Sequence, residues 1–139
     1  SAAEDQLSLI SGGVEGIRIS EDTTIAVDVK GSLDVTGAIY KQITTPELRA
    51  SNAYAVLATD YMILINDADV DVTGTITVTL PAVASSTGRV LHIKKLAATQ
   101  TVTVDGADAE TIDGATTVDL TSQWTNLTIM CNGTAWFVQ

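Results

Sequence analysis

The chain has 139 residues, of which 21 are Thr, 14 Val and 12 Ile. Such β-branched side chains lose rotamer freedom in helices and pack well on a pleated surface, so the composition predicts an all-β protein. A formal net charge of −10 repels phosphate backbones and anionic bilayers, which argues against nucleic acid or a membrane surface as a partner.

In chain order, the opening Ser1 to Gln6 has neither the basic nor the apolar region of a signal peptide. No apolar run nears the ~20 residues that a membrane helix needs. Short apolar alternations follow, broken by glycine: Val14 to Ile19, Thr24 to Val29, Leu33-Asp34-Val35 and Ala38-Ile39-Tyr40. Each is too short for a free-standing sheet and suits an intertwined assembly better. No fixed repeat period supports a regular solenoid. Thr45-Pro46-Glu47-Leu48 fits either a brief helix, with Thr45 as N-cap and Pro46 as first residue, or an extended connector. This stretch marks the expected boundary between an N-terminal region suited to intertwined assembly, residues 1–50, and a compact β domain, residues 51–139.

The β domain carries strand signals throughout. Tyr61-Met62-Ile63-Leu64-Ile65 is apolar on both faces, as a central strand would be. Val70-Asp71-Val72, Thr75 to Leu80, Arg89 to Lys94, Thr101 to Val104 and Val118-Asp119-Leu120 alternate with period two. Asp105-Gly106 and Asp113-Gly114 mark turns. Asn132-Gly133 between Leu127–Cys131 and Thr134–Val138 predicts a hairpin closed by a type I′ turn, because Asn-Gly accepts positive φ at both central positions. Seven or eight short strands at roughly ten-residue spacing predict a sandwich or small barrel, and the expected fold is an antiparallel, jelly-roll-like β-sandwich.

Catalytic signals are weak. His92 is the one histidine, so any Ser-His-Asp or Cys-His arrangement must include it. Alternation sets Leu91 and Ile93 on one face of its strand and His92 on the other, which predicts a half-exposed strand residue. Cys131 is the one cysteine; it excludes an intrachain disulfide and reads as a small buried hydrophobe. Asp67, Asp69 and Asp71 alternate and would share one strand face. They do not form an EF-hand loop, because Val72 and Val78 stand where that loop needs Gly and Glu. No phosphate loop, Gly-x-Ser-x-Gly or His-Glu-x-x-His occurs. The expectation is a non-enzymatic chain with no cofactor and no structural metal. Aromatic platforms for sugars are few: Trp124, Trp136, Phe137 and three tyrosines. Trp136 and Val138 share a strand face that reads as core.

Residues 54–139 resemble the C-terminal β domain of tailed-bacteriophage fibre and spike proteins. The likeness rests on Tyr54-Ala55-Val56 leading to Thr59–Ile65, on Thr77-Val78-Thr79-Leu80-Pro81-Ala82, on Gly88–Lys95, on Thr111–Ala115 and on Asn132–Val138, in that order. Gly31–Tyr40 is similar to the segment that precedes such domains. The resemblance implies a homotrimeric virion structural protein of the phage surface, a tail fibre, head fibre or capsid decoration, with residues 1–50 as an N-terminal stalk or trimerisation region and residues 51–139 as a β-sandwich head domain. It would contact other virion proteins, with host-surface polysaccharide as a candidate ligand. The expected trimer interface is Ile17, Ile19, Ile25, Val27, Val29, Leu33, Val35 and Ile39. Two alternatives stand beside it: a fragment of a polysaccharide-degrading tailspike, and a monomeric secreted carbohydrate-binding module.

Overall fold

The computed structural model describes residues 34–48, 51–66 and 72–139. Contacts divide the chain after Ala38, and Ile39–Gln139 forms the larger unit. Of the smaller unit only residues 34–38 are described; they are exposed and carry no regular structure beyond a bend. The expected interface residues Ile17, Ile19, Ile25, Val27, Val29 and Leu33 lie outside the described residues, as do Asp67, Asp69 and Asp71.

Among the described residues of the larger unit are nine strands and one 3-10 turn, Val83–Ser85. They are β1 (Ile43–Thr44), β2 (Ala53–Ala55), β3 (Met62–Ile65), β4 (Ile76–Thr79), β5 (Val90–Lys95), β6 (Val102–Asp105), β7 (Thr117–Leu120), β8 (Asn126–Cys131) and β9 (Trp136–Val138). The described residues are all-β, as the Thr, Val and Ile content predicts. Residues 45–48 are not helical; they are a connector.

The strands form two sheets, ordered β1-β3-β5-β8-β9 and β2-β4-β6-β7. From β1 to β6 the chain alternates between the sheets, one strand in each. Every ladder among these six strands is therefore parallel: β1 with β3, β3 with β5, β2 with β4 and β4 with β6. Successive passes stack in register, Ile43 on Met62 on His92 in one sheet and Ala53 on Thr77 on Thr103 in the other. Only β7, β8 and β9 pair antiparallel. This corrects the expected antiparallel, jelly-roll-like arrangement. The turns between the early strands look like hairpin turns in sequence, but they carry the chain across to the other sheet. A parallel partner cannot be reached by a tight turn, and the opposite sheet supplies the return path.

Alternation decides which side chains are buried. In β3 and β5, Ile63, Ile65, Leu91 and Ile93 are wholly buried while Met62, Leu64, Val90, His92 and Lys94 are half-buried. Ile76, Val78, Val102 and Val104 do the same in the second sheet, and all of these join one apolar cluster with Ile129, Leu120 and Trp136. Burying each such side chain contributes ~1.5–3 kcal/mol relative to exposure. Leu48 belongs to the same cluster, so the packed unit reaches back past residue 51 to β1.

The C-terminal hairpin between β8 and β9 forms as expected, with Cys131 opposite Trp136. Its turn differs. Only Gly133 has positive φ, +94°, while Asn132 uses its side-chain oxygen to accept from the Thr134 and Ala135 amides. Because the Asn132 amide donates to the Ala135 carbonyl, the central pair is Gly133-Thr134, and positive φ at its first position alone is the type II′ pattern. The type I′ pattern occurs instead at Asp113-Gly114, where both φ values are positive and Ile112 exchanges two hydrogen bonds with Ala115.

Gly106 is constrained by space, since a Cβ there would lie 2.2 Å from the Glu110 carbonyl oxygen. Gly114 has φ of +85° but open space around it. Denaturant unfolding should therefore show Gly106→Ala destabilised by about 1–3 kcal/mol through overpacking. Gly114→Ala should lose only the left-handed penalty of about 1–2 kcal/mol. A Gly106→Ala variant as stable as the wild type would contradict the steric account.

Candidate functional site

The β1 edge of the first sheet, the terminal edge among the described residues, gathers most of the chemistry. β1 is its terminal strand and only two residues long. Just beyond it lies Asp60, 4% exposed and the only buried carboxylate among the described residues. Its Oδ1 accepts from Thr44 Oγ1 at 2.5 Å. Its Oδ2 accepts from Tyr54 Oη and the Leu57 amide, both at 2.7 Å. Thr44 stands on β1 and Tyr54 on β2, so one carboxylate ties the first strands of both sheets together. Arg89, just before β5, donates through Nη2 to the carbonyls of Leu57 and Asp60 and fixes the loop from outside.

Burial alone would push the Asp60 carboxyl up, but the bonds from Thr44, Tyr54 and Leu57 and the charge of Arg89 outweigh it and hold it below its ordinary value. Burial, then the hydrogen bond and negative charge of Asp60, push the Tyr54 phenol up to about 12.

The outer face of the first sheet carries a polar row. His92 Nε2 lies 3.0 Å from Tyr61 Oη and its Nδ1 lies 3.0 Å from Thr128 Oγ1. Asn126 Nδ2 donates to the same Thr128 oxygen at 3.2 Å. Lys41 Nζ sits 4.2 Å above the Tyr61 ring, a cation–π contact, and His92 meets that ring edge-on. His92 is thus half-exposed on the outer face, as alternation predicts. Its partners are a phenol and a hydroxyl, an orienting pair with no carboxylate in it.

Lys41 and Tyr61 separate two depressions. One, about 360 Å³, is lined by Ile39, Tyr40, Ile43 and Met62 together with that pair. The other, about 410 Å³, is lined by the same pair with Gln42, Thr59, Asp60 and Arg89 among others. The apolar depression is bordered by strongly exposed side chains: Ile39 at 64%, Tyr40 at 94% and Ile43 at 59%.

Other candidates resolve simply. Cys131 is buried, with its thiol against the Val83 carbonyl and the Gly133 amide. Trp136 is wholly buried, but Val138, expected on the same core face, is 40% exposed at the sheet edge. Trp124 is 59% exposed at φ of +66°, a conformation rare for a bulky residue. Of the expected interface residues, Val35 and Ile39 are described, and both are exposed. Among the described residues no three His, Cys, Asp or Glu side chains come together as metal ligands. Sequence reasoning missed Asp60. It is one of 17 acidic residues, and nothing in Thr59-Asp60-Tyr61 marks it as buried.

No protein-family model matches this chain, and a search of curated proteins finds no relative.

The Asp60 network makes stability depend on pH at both ends. The folded carboxyl holds a lower pKa than the unfolded one, so its contribution is complete above the unfolded carboxylate range, ~4, and is lost as pH falls through the folded value. Tyr54 acts in the opposite sense. Between 10.0 and about 12 the unfolded phenol loses its proton while the folded one keeps it, so stability falls as pH rises through that window. Asp60→Asn should cost about 2–3 kcal/mol at neutral pH and flatten the acid limb. Tyr54→Phe should remove its share of the alkaline limb. Chemical denaturation across pH measures both.

Proposed function

We propose that this chain is a non-enzymatic structural module of a bacteriophage virion. It assembles as a homotrimeric fibre or spike component whose sandwich-like head contacts host-surface polysaccharide. The supporting observation is the apolar edge of the head. Ile39, Tyr40 and Ile43 are exposed beside the terminal strand β1, and the apolar runs of residues 1–35 lie immediately upstream in the chain. Among the described residues β1 is the terminal strand, and a terminal strand beside exposed apolar side chains favours pairing with a further segment or chain. Closed rotational symmetry would cover such an edge without runaway growth. The threefold order, the virion setting and the head-and-stalk division follow from the likeness to phage fibre domains.

Trp124 favours a second reading, a monomeric carbohydrate-binding module, because it presents an exposed indole on a loop pinned to the Lys95 carbonyl. Light scattering separates the two. The proposed function expects a trimer at micromolar concentration, and a monomer would favour the second reading.

Ile25→Asp or Val27→Asp should dissociate or unfold the trimer, since three symmetry copies multiply each lost contact. Ile43→Asp should weaken association while the isolated head keeps its strand signal in circular dichroism. A trimer untouched by all three substitutions would place the interface elsewhere.

A further inference from the structure

We infer that the polar depression between Lys41 and Arg89 binds the carboxylate of an acidic sugar unit; the inference rests on the glycan-attachment reading above. The chain is acidic overall, yet this groove is locally cationic. The described basic side chains are Lys41, Arg89, Lys94 and Lys95. Lys95 is wholly buried, and Lys94 Nζ donates to the Trp124 carbonyl. Lys41 and Arg89 are left, and they line the same groove.

The direct contacts of both cations are with neutral groups, while the nearby Asp60 charge offsets part of that of Arg89. The Tyr61 ring lies under Lys41 Nζ, and main-chain carbonyls of Leu57 and Asp60 hold Arg89 Nη2. Neither forms a salt bridge among the described residues, so their charge is only partly offset. Asp60 is the one carboxylate in the wall, and its oxygens are taken by Thr44, Tyr54 and Leu57. The Nη1 and Nε donors of Arg89 make no hydrogen bond among the described residues. A guanidinium fixed at one nitrogen loses little entropy on binding and presents its remaining donors to a carboxylate. Thr59 and Gln42 add a hydroxyl and an amide that suit sugar hydroxyls. The volume, about 410 Å³, lies in the range of small-ligand sites.

The test titrates the full chain with glucuronic acid, glucose, acetate and inorganic phosphate, followed by amide chemical shifts, beside a glycan array. Glucuronic acid should shift the amides of Gln42, Thr59 and Gly88, with glucose at least about tenfold weaker. Arg89→Gln and Lys41→Gln should each weaken glucuronate binding by about tenfold or more. Lys41 is exposed and outside the Asp60 network, so Lys41→Gln should keep the wild-type melting temperature even where Arg89→Gln does not fold. Acetate or phosphate binding as tightly as glucuronate would overturn the saccharide assignment. Glucuronate binding that survives Lys41→Gln unchanged would overturn the site. Array binding confined to neutral glycans would sink the groove but leave attachment standing, whereas an array with no binding at all would remove both.

Discussion

One buried carboxylate holds the two sheets together at their open end. Asp60 accepts from a side chain on β1, from a side chain on β2 and from the backbone of its own loop. A carboxylate without such partners would be expensive to bury, and with them it becomes a rigid junction. The requirement comes from the topology. Strands that alternate between sheets have no hairpin turn to bind each to the next, so the first pass needs another tie. Arg89 extends the tie to the pass that ends in β5, by holding the carbonyls of the loop that Asp60 stiffens.

The apolar cluster completes what this junction begins. Its members come from both sheets and from Leu48 in the connector, so each pass of the chain contributes to one core. The far end is closed differently. There β7 pairs antiparallel on β6, β8 on β5 and β9 on β8, with Ile112 bridging to Trp136. Glu110 reaches from the same region to accept the Val83 amide with both oxygens, capping the 3-10 turn.

Much of the fold was legible where one residue pattern has one physical outcome. Period-two alternation placed Leu91 and Ile93 inside and His92 outside, because successive side chains of a strand must point to opposite faces. Asn-Gly marked a hairpin, though its side chain drew the turn into another type. Three features were not legible. Parallel pairing depends on where the chain goes after each turn, and no local pattern records that. The burial of Leu48 and Asp60 depends on partners far away in sequence, Asp60 meeting Thr44 across 16 positions. The exposure of Val138 follows from its place on an edge strand, which the alternation of Trp136 and Val138 cannot reveal.

The Lys41–Tyr61 ridge bears on how assembly and attachment can coexist. On the proposed reading, the apolar depression with Ile39 and Ile43 faces neighbouring copies, and the cationic groove with Arg89 faces ligand. Both use the same two residues as a wall. Tyr61 is fixed by His92, and His92 by Thr128, so the ridge is anchored to β5 and β8 in the interior of the sheet and not to the short edge strand alone. A wall anchored in this way keeps its shape whether or not the edge is covered. Packing of copies against one side would then leave the groove on the other side open. It would also order Lys41, whose backbone leads directly into β1. Assembly would thus pre-organise one of the two cations and reduce the entropy lost when a carboxylate binds, coupling attachment to the assembled state without any change of fold.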